Sequence, residues 1–153
     1  MNRLKKTSKL TKLIAITLIW IVVIFSFSLQ NGDESGKLSG GIVAWLVEVV
    51  FPEDFAHVEL VHFLVRKAAH FTEYFILGVL ISLTVREAKW SRPLLKAWAL
   101  GTCVACCDET IQLFSDGRAG QVTDVMLDSS GVLTGCVILV LWLLFWNRKY
   151  TRM

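Results

Sequence analysis

The chain has 153 residues, 54% of them hydrophobic and 19% charged, with a formal net charge of +3 and a mean hydropathy of +0.56. That apolar share exceeds the roughly 45–50% of soluble domains, and the length leaves no room for a soluble catalytic module beside a few membrane spans. The small net charge gives no basic surface for a nucleic-acid partner. Cys103, Cys106, Cys107 and Cys136 all fall inside apolar runs, which excludes the loop-borne disulfide framework of a secreted domain. Cys103 and Cys106 form a C-x-x-C pattern, but without a second pair or a thioredoxin-like strand pattern they read as small packing residues.

The expected fold is all-α: a polytopic membrane protein of about four transmembrane helices plus a short interfacial helix. Residues 1–12 carry Arg3, Lys5, Lys6, Lys9 and Lys12 and form a basic N-terminus before a first span over about 13–29. Ser26 and Ser28 offer a small-x-small cleavage site, yet the apolar run is longer than the ~7–15 residues of a signal-peptide core, so an uncleaved helix is expected. The stretch QNGDESGKLSGG at 30–41 is a loop by its turn formers. Residues 42–51, IVAWLVEVVF, reach only about 15 Å as a helix and cannot cross a core of about 30 Å. They read as an interfacial or re-entrant helix with Trp45 at headgroup depth and Pro52 ending it, able to pack as a lid.

Spans follow at about 61–85, 94–114 and 127–146. Pro93 suits the first turn of the third, and 147–153 form a basic tail. The N-terminus, the 86–96 loop and the tail hold all of the 16 Lys and Arg except Lys37, Arg66, Lys67 and Arg118. The positive-inside rule therefore places both termini in the cytoplasm and the 30–60 and 115–126 loops outside.

This topology brings polar groups from three segments to one level. In the second span Glu59, His62, Arg66, His70 and Glu73 recur at steps of three and four and form one helical stripe. Glu73 lies about 10 Å deeper than Arg66, and Asp108 and Glu109 of the third span about 7–9 Å below its outer end, with Gln112 above them. Asp124 and Asp128 stand at the mouth of the fourth span, spaced i to i+4 if that helix begins early. Charges in hydrocarbon cost roughly 2.5–3.5 kcal/mol each, so such a set marks a protein interior or a wet cavity.

Two readings of the set compete. One is structural ion pairing, for example Arg66 with Glu109. The other is a working site in which His70 and Glu73, with carboxylates from neighbouring helices, hold a divalent cation. Nothing in the pattern requires a cofactor. Gly131 and Gly135 form G-x-x-x-G at the start of the fourth span, and with Gly78 they read as helix-packing positions.

The stretch RKAAHFTEYFILG, Arg66 to Gly78, together with Asp108, Glu109, Gln112, Phe114, Arg118, Asp124, Asp128, Gly131 and Gly135, resembles the VanZ-like family of bacterial integral membrane proteins associated with teicoplanin resistance. Ser26, Ser28 and Gln30 are similar to the residues closing that family's first helix, and the resemblance covers about 13–146. Asp116 stands where a proline often precedes the Gly-Arg pair, and Asp128 where Asn is frequent. The resemblance implies four or so membrane helices and leaves the molecular activity open.

Three functions fit. In the first, the protein acts on or recognises outer-leaflet membrane lipids or lipid-linked cell-wall precursors and lowers teicoplanin susceptibility, with Arg66, Lys67 and Arg118 meeting an anionic headgroup that Glu73 and Glu109 help to orient. The second is a membrane enzyme, with catalytic candidates His70, Glu73 and Glu109 as acid and base and Asp124 and Asp128 on a cation. The third is a small transporter or assembly partner. The absence of G-x-S-x-G, P-loop and Rossmann patterns favours binding over covalent catalysis.

Overall fold

The structure is a computed structural model that describes residues 2–30, 40, 41, 44, 58–115 and 120–150. Its long helices are α1 (Asn2–Ser28), α2 (Val58–Glu87), α3 (Pro93–Gln112) and α4 (Val122–Tyr150). Segments Ser8–Ser28, Glu59–Glu87 and Val122–Trp146 are long and apolar enough to cross a membrane. The 20-residue α3 is less apolar because it carries Lys96 near its start and Asp108 and Glu109 near its end. Of the four spans expected, three therefore stand on length and composition. The short helix expected over 42–51 lies outside the described residues apart from residue 44, as does Arg118.

Successive helices run antiparallel, and short contacts fix their order. Lys9 of α1 pairs with Glu87 at the far end of α2 at 2.6 Å, and the hydroxyls of Thr17 and Thr84 meet at 3.1 Å. At the opposite end of α1, the Ser115 hydroxyl donates to the Ser28 carbonyl just beyond α3. Ser129 of α4 receives the indole N–H of Trp98 at 2.9 Å and meets the Thr102 hydroxyl at 2.8 Å, tying α3 to α4.

The α2–α3 turn is tight. The Lys89 N–H donates to Arg86 O and the Trp90 N–H to Val85 O, with Lys89 at φ 58. That is a Schellman motif closed by a lysine where glycine is the usual residue. Lys89→Gly removes the Cβ penalty of the left-handed backbone, and a stabilisation of about 1 kcal/mol is expected in detergent unfolding.

The centre of the bundle is built on glycine. A Cβ at Gly78 would overlap the Val132 carbonyl of α4, and one at Gly135 the Phe75 carbonyl of α2. With Gly131 against the Phe71 carbonyl, these residues let the α2 and α4 backbones touch. Around them Tyr74, Leu77, Ile81, Val132 and Cys136 fill the core, while Leu18, Val22, Leu141 and Phe145 point outward. An apolar exterior over a small-residue core is what hydrocarbon solvent permits.

Candidate functional site

The polar residues gather at the end of the bundle where α1 and α3 finish and α4 begins. His70 comes from the α2 face that also carries Tyr74 and Leu77, both fully buried. Asp108 and Glu109 come from the last turn of α3, and Asp128 from the second turn of α4. One donor atom from each of His70, Asp108, Glu109 and Asp128 lies within 4.8 Å of the others.

Each α3 carboxylate is held by one oxygen and left open at the other. Gln112 Nε2 donates to Asp108 Oδ2 at 3.3 Å and to the Ser28 hydroxyl at 3.4 Å, while Asp108 Oδ1 has no hydrogen-bond partner. The Gln121 backbone N–H donates to Glu109 Oε2 at 2.8 Å, and Oε1 is unpartnered. Gln121 also accepts the Asp124 N–H of α4's first turn, so the start of that helix is clamped to Glu109. A Cβ at Gly120 would overlap the Glu109 carbonyl, which explains the glycine at this close approach. Both Asp128 oxygens are unpartnered, His70 Nδ1 standing 3.7 Å from Oδ1, beyond hydrogen-bond reach.

Lys67 and Asp124 form an ion pair at the rim, with Lys67 Nζ 5.2 Å from the Phe63 ring centroid. Arg66 is exposed, and Glu109 bonds to the Gln121 backbone instead of to Arg66, so the ion pair expected between them does not form. Glu73 is absent from the quartet; its carbonyl accepts the Trp20 indole N–H, which puts that turn beside α1. The inward face of α2 runs through Lys67, His70, Tyr74, Leu77, Ile81 and Val85, rotated about 70° from the stripe expected from the sequence. Of that stripe's members, only His70 joins the quartet. Glu59 is exposed and His62 half-buried.

Several participants were not among the site residues expected from the sequence, although Ser28 and Tyr74 lie within the stretches that carry the family resemblance. The Gln121 contribution is a backbone N–H, which no side-chain pattern shows. Ser28 acts through its hydroxyl on Gln112, and Tyr74 is buried with its hydroxyl unpartnered. The i to i+4 spacing of Tyr74 from His70 was the available clue.

No curated protein and no solved structure matches the chain. A family model described as VanZ/LLP1 matches residues 13–145, a range that runs from α1 through nearly all of α4 and contains every member of the buried quartet. The chain belongs to the VanZ/LLP1 family.

Proposed function

We propose that this protein is a multi-pass component of the cell membrane with cytoplasmic termini, that it engages lipid or lipid-linked cell-wall groups at the outer leaflet, and that it thereby lowers teicoplanin susceptibility. The observation that carries this reading is the buried quartet at one end of an otherwise apolar bundle, because ionisable groups at membrane depth are retained for a use. Family membership supports the envelope role. In this reading α3 completes a fourth crossing. Its 20 residues reach about 30 Å, Lys96 reaches to the cytoplasmic interface, and Asp108 and Glu109 are sheltered by α2 and α4. Exposed Arg66 and Arg118 meet the anionic headgroup, and Lys67 joins them by exchanging its Asp124 partner for the headgroup.

The composition of the quartet favours a second reading, a membrane enzyme. An imidazole and three carboxylates are acid–base chemistry in a water-poor site, with His70 and Glu109 as the exchanging pair on a lipid-linked or phosphorylated substrate. Glu73 then has a supporting place at most. A transporter or assembly partner draws no comparable support.

Teicoplanin susceptibility of a sensitive host expressing the parent, Glu109→Gln or His70→Ala at equal membrane abundance tests the proposal. The parent is expected to protect, and both variants to lose the protection. Undiminished protection by both variants would make the quartet structural, and no protection by the parent would end the resistance reading.

A further inference from the structure

The quartet poses a problem of charge that its neighbours among the described residues do not solve. Asp108 and Asp128 are fully buried and Glu109 is 5% exposed, and their donor atoms share a space 4.8 Å across. Lys67, the cation on the facing turn of α2, is engaged by Asp124. Gln112 and the Gln121 N–H supply neutral donors, one to each α3 carboxylate. What remains among the described residues are unpartnered acceptor atoms, Asp108 Oδ1, Glu109 Oε1 and both Asp128 oxygens, with His70 Nδ1 and, on the same face of α2, the Tyr74 hydroxyl. That hydroxyl can serve one carboxylate oxygen and leaves the other acceptors of the four converging residues open.

We infer that His70, Asp108, Glu109 and Asp128 bind a divalent cation, with one imidazole nitrogen and three carboxylate oxygens as the protein's donors. Two features support this beyond the acidity of the cluster. First, the buried carboxylate oxygens and the imidazole nitrogen are electron-pair donors from three helices within reach of one centre, and among the described residues a protonated His70, 3.7 Å from Asp128, would offset only one of the three carboxylates. Second, Asp108 and Glu109 each have one oxygen fixed by an amide donor and the other free, which is how outer hydrogen bonds orient ligating carboxylates. A donor set of one nitrogen and three oxygens suits Mn2+ or Zn2+ better than the all-oxygen preference of Ca2+ and Mg2+. A +2 ion also brings the three carboxylates close to neutrality, which desolvated carboxylates require.

This inference does not depend on the envelope role, since cation binding is measured without reference to drug susceptibility. The full chain, purified in detergent and stripped with a chelator, is titrated with Mn2+ and followed by the electron paramagnetic resonance of the free ion and by thermal unfolding. Mn2+ is chosen because the exposed thiols of Cys103, Cys106 and Cys107 prefer softer ions. Expected are saturable uptake of about one Mn2+ per chain, an upward shift in the unfolding midpoint, and affinity weakened about tenfold or more in both Asp128→Asn and Glu109→Gln. Glutamine at 109 keeps an oxygen able to accept the Gln121 N–H, so this variant decides the matter should the other fail to fold. No saturable uptake by the parent, or uptake unchanged in the folded variants, overturns the inference.

Discussion

Replacing Gly135 by leucine is expected to unfold or disperse the bundle, at a cost of about 3 kcal/mol or more, a large share of the roughly 5–15 kcal/mol that holds a typical protein together. The size follows from what the new atoms meet. A Cβ at Gly135 overlaps the Phe75 carbonyl oxygen of α2, and a backbone atom inside a helix cannot rotate aside. The helices must separate instead, forfeiting the dispersion contacts that hold membrane helices together. Gly78→Leu is expected to behave alike, because its first obstacle is the Val132 carbonyl. Gly101→Leu should cost somewhat less, since it meets the Val132 side chain instead of a backbone carbonyl, although a helical valine is nearly fixed in one rotamer and can yield only by a shift of its helix. Unfolding in increasing denaturing detergent, followed by helical circular dichroism, reads the order. If Gly101 proves the most sensitive, backbone contact between α2 and α4 is not what organises the bundle.

Lys67→Met is expected to cost about 3 kcal/mol, and Asp124→Asn placed beside it to restore most of the loss. The side chains of Lys67 and Asp124 are 18% and 12% exposed, so water can take over only in part from a lost partner. Methionine fills the aliphatic volume of lysine and keeps the contact with Phe63, and the damage is then the unpaired Asp124 carboxylate, one turn from Asp128. Neutralising both members removes that charge. A double-mutant cycle in detergent unfolding measures the coupling. Additive costs would show the rim pair to be incidental.

Helix identity was legible because long apolar runs leave little choice: α2 (Val58–Glu87) contains the run expected over about 61–85, while α1 continues the helix back through the basic residues to Asn2, ahead of the apolar run expected from about 13. The start of α4 was not. Residues 115–126 read as a polar loop, whereas the helix begins at Val122, its first-turn Asp124 favoured by the free N–H groups there and its entry tied to Glu109 through Gln121. Rotational phase was the other loss. In lipid, Leu and Phe are equally at home inside and outside, so periodicity on α2 does not say which face packs. The glycines of α4 settle that, and they turn Tyr74 inward and Glu73 toward α1. The residues of the quartet were therefore recognisable one by one, while the set they form depends on contacts between helices far apart in sequence. The Arg66–Glu109 pair failed for the same reason.

The Lys9–Glu87 pair near one end of α1 and α2 also serves as a ruler. Counting back along α2 at 1.5 Å per residue, His70 stands about 25 Å from Glu87, against a hydrocarbon thickness of about 30 Å. For a chain whose α2 crosses the bilayer with Glu87 at one interface, in either orientation, the quartet is close to one aqueous phase and nearly a full membrane away from the other. In sealed vesicles, a chelator or labelling reagent that cannot cross the bilayer would meet the site from a single side, so its sidedness is a property of the fold and independent of what the site binds.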